Sequence, residues 1–197
     1  MSKFQVLITS LAATAALGLA GAASAQSSSS NTAPSAYVGA NVGLYNKYSI
    51  GCDAGTTCDR SAKLGGKIYG GYDFGGYGVE ALVFGVKSAQ GSVRPGATSQ
   101  PGSVSETGAG VVGVLPYAIG DFTLKGKLGL AYVRGKASYA GGVADKSMVT
   151  PLVGASVAYP INKTVSLSAD WDQFRAKYAT DRSVHVNMFS VGLSTKF

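Results

Sequence analysis

Apolar and polar positions alternate along the C-terminal stretch, with Phe189, Val191, Leu193, Thr195 and Phe197 on one side and Ser190, Gly192, Ser194 and Lys196 on the other. The same period of two sets Val165, Leu167, Ala169 and Trp171 against Ser166, Ser168, Asp170 and Asp172. It also sets Phe122, Leu124, Leu128 and Leu130 against Thr123, Lys125, Lys127 and Gly129. Eight segments read as strands: 36–48, 64–74, 77–88, 105–119, 122–138, 148–161, 165–179 and 184–197. The pattern predicts an all-β chain.

Connection lengths add topology. Gly75-Gly76, Gly120-Asp121 and Asn162-Lys163-Thr164 are tight turns made of residues that tolerate turn geometry. The stretches 49–63, 89–104, 139–147 and 180–183 are longer and all fall at the opposite end. A Greek-key sandwich has no reason to sort its loops in this way. The sorting predicts an eight-stranded antiparallel up-and-down transmembrane β-barrel with short periplasmic turns and longer extracellular loops. The apolar set would face lipid and the polar set the interior, the reverse of a soluble barrel.

Composition supports this reading. Charged residues are 14% of the chain, below the roughly 25% of soluble domains, and 28 residues are Gly. Lys3, the apolar run 6–20 and Ala23-Ser24-Ala25 predict a cleaved signal peptide over 1–25. A flexible Ser-rich leader is expected over 26–35 and the barrel over 36–197. After residue 25 the longest apolar run, 109–120, contains Pro116 and is too short for a spanning helix. Losing Lys3 takes the formal net charge from +7 to +6, but the basic residues are scattered singly, which argues against nucleic acid.

Aromatics sort to the two ends, as interfacial girdles would. Tyr37, Tyr72, Tyr77, Tyr117, Phe122, Tyr159 and Phe197 lie toward the short turns, and Tyr48, Tyr132, Trp171, Phe174 and Tyr178 toward the long loops. Alternation places Lys67, Glu80, Lys125, Lys127, Asp170 and Asp172 in the lumen, a charge-balanced set inside a barrel that side chains nearly fill. This set is either a structural plug or the gate of a narrow pore.

The cationic excess falls at the long-loop end. Lys47, Arg60, Lys63, Lys87, Arg94, Arg134, Lys136, Lys146, Arg175, Lys177 and Arg182 stand there against Asp53, Asp59, Asp145, Asp181 and Glu106. Lys and Arg suit the phosphates of lipopolysaccharide, so a lipopolysaccharide-facing basic rim is expected. Cys52 and Cys58, the only cysteines, share the first long loop, and after export a disulfide is expected between them.

The stretches LGGKIYGGYDF (64–74), GVEA (78–81), TPLVGASVAYPIN (150–162) and FSVGLSTKF (189–197) resemble, in order and spacing, the eight-stranded outer membrane protein A transmembrane-domain family of Gram-negative bacteria. The resemblance implies that Glu80 pairs with Lys67, Lys125 or Lys127. It also implies that the last strand, through Phe189, Val191, Leu193 and terminal Phe197, is the signal read by the barrel assembly machinery. No peptidoglycan-binding domain follows, unlike the family's two-domain members, so cell-wall tethering is not implied. Some eight-stranded barrels modify lipid A with a His and a Ser on one strand, but the residue two after His185 is Asn187. Neither enzyme chemistry nor a metal or cofactor is expected. The expectation is a monomeric outer-membrane protein contacting lipids and lipopolysaccharide and presenting its loops to a surface ligand, in envelope integrity or adhesion. A narrow porin is the alternative, and a lipid A hydrolase the remote one.

Overall fold

The computed structural model describes residues 34–48, 61–62, 64–93, 100–139, 142–177 and 183–197. Its strands are β1 (Ser35–Tyr48), β2 (Leu64–Asp73), β3 (Gly78–Val93), β4 (Gln100–Ile119), β5 (Phe122–Tyr139), β6 (Gly142–Pro160), β7 (Val165–Lys177) and β8 (Ser183–Lys196). Each pairs antiparallel with the next, and β8 returns to β1 from Tyr37↔Lys196 to Tyr48↔Val186, which closes the ring. A two-residue piece, Ser61–Ala62, pairs with Asn46 and Lys47 at the end of β1.

The three tight turns form where their residues predict. Gly75 and Gly76 (φ 90° and 144°) and Gly120 (φ 57°) occupy backbone conformations that a Cβ disfavours. In the third turn Asn162 Oδ1 accepts the backbone N–H groups of Thr164 (2.9 Å) and Val165 (2.7 Å), an Asx-type arrangement.

Two of the long connections are corrected. Residues 89–93 and 100–104 extend the β3–β4 hairpin, and 142–147 extends β6. The strands β4, β5 and β6 run to 20, 18 and 19 residues, against 10 for β2 and 13 for β7. Where strands rise beyond a membrane both faces meet water. The alternation that marks a strand inside lipid fades there, although the ladder continues.

The outward face carries the apolar band: Ile68, Val83, Val111, Leu115, Leu128, Leu130, Leu167 and Leu193 are all exposed. Side chains standing outside a closed barrel with this composition fit hydrocarbon rather than water. A bulge between Gly43 and Tyr45 shifts the parity of β1, leaving Leu44 and Tyr45 both outward, Asn46 buried and Lys47 outward.

The interior has two tiers, which corrects the expectation of a wholly polar lumen. The Lys67, Glu80, Lys127, Asp170 and Asp172 side chains occupy its turn-side half, while Glu106 is buried at the level of Val86 in the other. Toward the loops, Phe84, Val86, Val133, Leu152, Phe174, Val186 and Met188 form one buried apolar cluster, with the Phe84 and Phe174 rings 4.6 Å apart. Leu82, Phe84 and Val86 share the parity of Glu80. Their neighbours Ala81, Val83 and Gly85 are also non-polar, so the sequence offers little contrast to assign faces. Phe174 therefore leaves the outer girdle. Tyr37 leaves the inner one, being 9% exposed with its ring against Tyr69. Tyr72, Tyr77, Tyr117, Phe122, Tyr132, Tyr159 and Phe197 are outward and exposed, and Trp171 is half-buried. Tyr178 lies outside the described residues.

Candidate functional site

Five of the six expected lumen charges meet in one network. Lys67 Nζ lies 2.5 Å from Asp172 Oδ2 and 3.2 Å from Asp170 Oδ1. Lys127 Nζ lies 2.9 Å from Glu80 Oε1 and 3.1 Å from Asp170 Oδ1. All five side chains are at most 2% exposed. Asp170 is thus shared by both lysines. The sixth, Lys125, faces inward but stands apart from these pairs, its ammonium 4.6 Å from the centroid of the Tyr37 ring.

Neutral groups extend the network, although Asp172 Oδ1 is buried without a hydrogen-bond partner among the described residues. Tyr37 donates its hydroxyl proton to Glu80 Oε2 at 3.2 Å, and Asn41 Nδ2 donates to Asp170 Oδ2 at 2.5 Å. Ser168 Oγ donates to Asn41 Oδ1 at 3.3 Å and lies 3.4 Å from the Tyr69 hydroxyl. Lys127 and Lys67 sit over the Tyr69 ring at 5.1 and 5.5 Å. Desolvating so many charges is tolerable only with this degree of mutual pairing. Tyr69 and Ser168 share the parity of Lys67 and Asp170, so the alternation already held that signal. With the apolar tier above it, buried side chains line both halves of the interior.

The second candidate is the basic rim, and its geometry is a collar. Lys47 lies two residues beyond the outward Tyr45, Arg134 and Lys136 lie beyond Tyr132, and Arg175 lies beyond Trp171. These four cations and Lys87 of β3 are exposed on the outward face; Lys177 is half-buried on the same face. Arg60, Lys63, Arg94 and Arg182 lie outside the described residues, as do Cys52 and Cys58. Glu106, assigned to the rim by sequence, is instead 1% exposed on the inner face, which removes one acid from the collar.

Local partners hold the collar. Arg134 donates Nε to Asp145 Oδ2 at 2.8 Å, and its Nη2 donates to the same oxygen. Arg175 Nε donates to His185 Nε2 at 3.0 Å. Trp171 Nε1 and Gln173 Nε2 both donate to Asn187 Oδ1 at 3.1 Å. On the extended β4–β6 wall, Ser105, Glu106, Thr107, Arg134, Lys136, Val143 and Asp145 line a hollow of about 330 Å³. On the last strand Phe189, Val191, Leu193 and Phe197 all face outward and are exposed.

The sequence profile of the outer membrane protein beta-barrel domain matches residues 12–197. No curated protein sequence matches the chain. Among solved structures it is similar to Ail, the attachment invasion locus protein of Yersinia pestis, in complex with the heparin analogue sucrose octasulfate. That match has 16% identity and TM-score 0.56, and covers 84% of this chain and 99% of that one. It is also similar to Neisserial surface protein A (18% identity, TM-score 0.58, 82% and 97% coverage). A major outer membrane protein from Thermus thermophilus matches at 12% identity and TM-score 0.60, with 84% and 100% coverage. At these identities the likeness carries the fold. With the profile spanning strands, turns and collar, the chain belongs to the outer membrane protein beta-barrel domain family and resides in the outer membrane of a Gram-negative bacterium.

Proposed function

We propose that this protein is a closed-lumen anchor in the outer membrane whose outward basic collar binds phosphates of outer-leaflet lipopolysaccharide and whose raised hairpins face the cell exterior. The observation that carries the reading is the position of the cations. Lys47, Arg134, Lys136 and Arg175 point outward just beyond Tyr45, Tyr132 and Trp171, where a bilayer's headgroups lie, rather than into the lumen. Charge-assisted contacts from Lys and Arg to phosphate are strong and suit that depth.

Ail, solved with a heparin analogue, supports polyanion recognition as a use of this scaffold. The buried, mutually paired ionic tier and the apolar tier above it support an anchor over a narrow porin. Phe189, Val191, Leu193 and Phe197 would serve as the last-strand pattern offered to the assembly machinery, and a Cys52–Cys58 disulfide would hold the first loop in shape. The barrel would work as a monomer, without enzyme chemistry.

The test is lipopolysaccharide retention. The folded chain is purified in detergent beside a Lys47→Gln, Lys87→Gln, Arg175→Gln variant, and co-purifying lipopolysaccharide is quantified at low and high salt. The variant should retain less, and the wild type should lose lipid as salt rises. Equal retention by both would overturn the proposed function.

A further inference from the structure

We infer that the hollow on the outward face of β4–β6 is a binding site for a phosphorylated sugar of the outer-leaflet glycolipid headgroup. This rests on the collar reading and narrows it to one place. Strand pairing sets Ser105 opposite Lys136, Lys136 opposite Asp145, and Thr107 opposite Arg134, so three strands bring complementary groups to one face. The resulting hollow of about 330 Å³ is lined by the side chains of Ser105, Thr107, Arg134, Lys136, Asp145 and Val143, together with Glu106, whose own side chain is buried on the inner face.

This composition differs from a plain cationic patch. Asp145 grips Arg134 through Nε and Nη2, which orients the guanidinium and leaves its other edge outside that contact. That remaining edge and the Lys136 ammonium suit a phosphate. The Asp145 carboxylate and the hydroxyls of Ser105 and Thr107 suit sugar hydroxyls, which need acceptors as well as donors. Val143, 60% exposed, offers an apolar surface to a sugar face.

Height agrees with chemistry. Arg134 and Lys136 lie two and four residues past the girdle residue Tyr132, which is about 7 and 13 Å along a strand and less after barrel tilt. A bilayer's interfacial layer is roughly 5–8 Å thick on each side. The hollow therefore opens sideways at and just above the level of a neighbouring lipid's headgroup.

The test measures binding of deep-rough lipopolysaccharide, and of the same lipid after enzymatic dephosphorylation, to the full folded chain in detergent. Heat-modifiable gel migration confirms folding of every variant. Lys136→Gln with Arg134→Gln is expected to weaken binding about tenfold or more and to erase the preference for the phosphorylated lipid. Arg134→Lys, which keeps the charge but loses the fork, is expected to weaken it less, and inorganic phosphate at equal concentration is expected not to compete.

Unchanged binding in the double variant, with loss in a Lys47→Gln, Arg175→Gln variant, would overturn this site and leave the collar reading standing. Wild-type binding that ignores dephosphorylation and salt would overturn both. Full competition by inorganic phosphate would overturn the sugar part, reducing the hollow to an anion site.

Discussion

Glu80 of β3 and Lys127 of β5 meet across the lumen with Lys127 Nζ 2.9 Å from Glu80 Oε1, neither side chain more than 2% exposed. Since Lys127 also holds Asp170 at 3.1 Å, one ammonium ties three strands together. Lys127→Met strips Glu80 of its cation in a buried site and leaves Asp170 with Lys67 alone. It should cost about 3–5 kcal/mol, read as a lower urea midpoint of the heat-modifiable band. Adding Glu80→Gln should recover part of that loss, because it removes the stranded charge.

Backbone closeness gives a second expectation. A Cβ on Gly192 would stand 2.0 Å from the Ala40 carbonyl oxygen and 2.4 Å from Asn41 Oδ1, whereas on Gly126 it meets nothing within 4 Å. Gly192→Ala should destabilise by about 1–3 kcal/mol or more through overpacking at the closing β8–β1 seam. Gly126→Ala should change stability by less than about 0.5 kcal/mol. Urea titration of the two variants in one lipid checks the contrast.

The apolar band tests the membrane face. Leu128 is 67% exposed midway along an outward strand face, and Leu128→Arg should cost roughly 2–4 kcal/mol in lipid. Ser147→Arg, outward but above the girdle, should cost roughly 0–1 kcal/mol. Equal costs at the two positions would place the bilayer elsewhere on the barrel.

The apolar tier should matter to stability rather than selectivity. Phe174 is 1% exposed and packs on Phe84, so Phe174→Ala should cost about 3–5 kcal/mol. Planar-bilayer recording of the same variant should show no current, because the ionic tier beneath it stays paired.

What is legible in the sequence follows the contrast between faces. Lys127, Asp170 and Asp172 are assignable because their strand neighbours alternate cleanly, whereas Lys67 stands in a Gly-rich strand where parity alone places it. Glu80 sits on a strand where Ala81 and Val83 blur the faces, and its resemblance to a family position reinforces it. Tyr37 and Phe174 are misplaced by sequence because an aromatic ring suits an interface or a core equally, and only parity separates the two. Asn41 escapes notice as a partner of Asp170 because its role depends on two strands distant in sequence meeting at ring closure. The β1 bulge, which turns Asn46 inward and Lys47 outward, has no local signature. The raised part of β6 is hidden because its polar residues look like a loop once both faces are wet.

A closed interior is tested most directly by single-channel current from the folded chain in planar bilayers. The membrane should stay silent with the wild type, and also with Lys125→Ala, since Lys125 stands apart from the ion pairs. Reproducible conductance steps from the wild type, abolished by substitutions at Glu80 or Lys127, would contradict closure and make the charge network a gate.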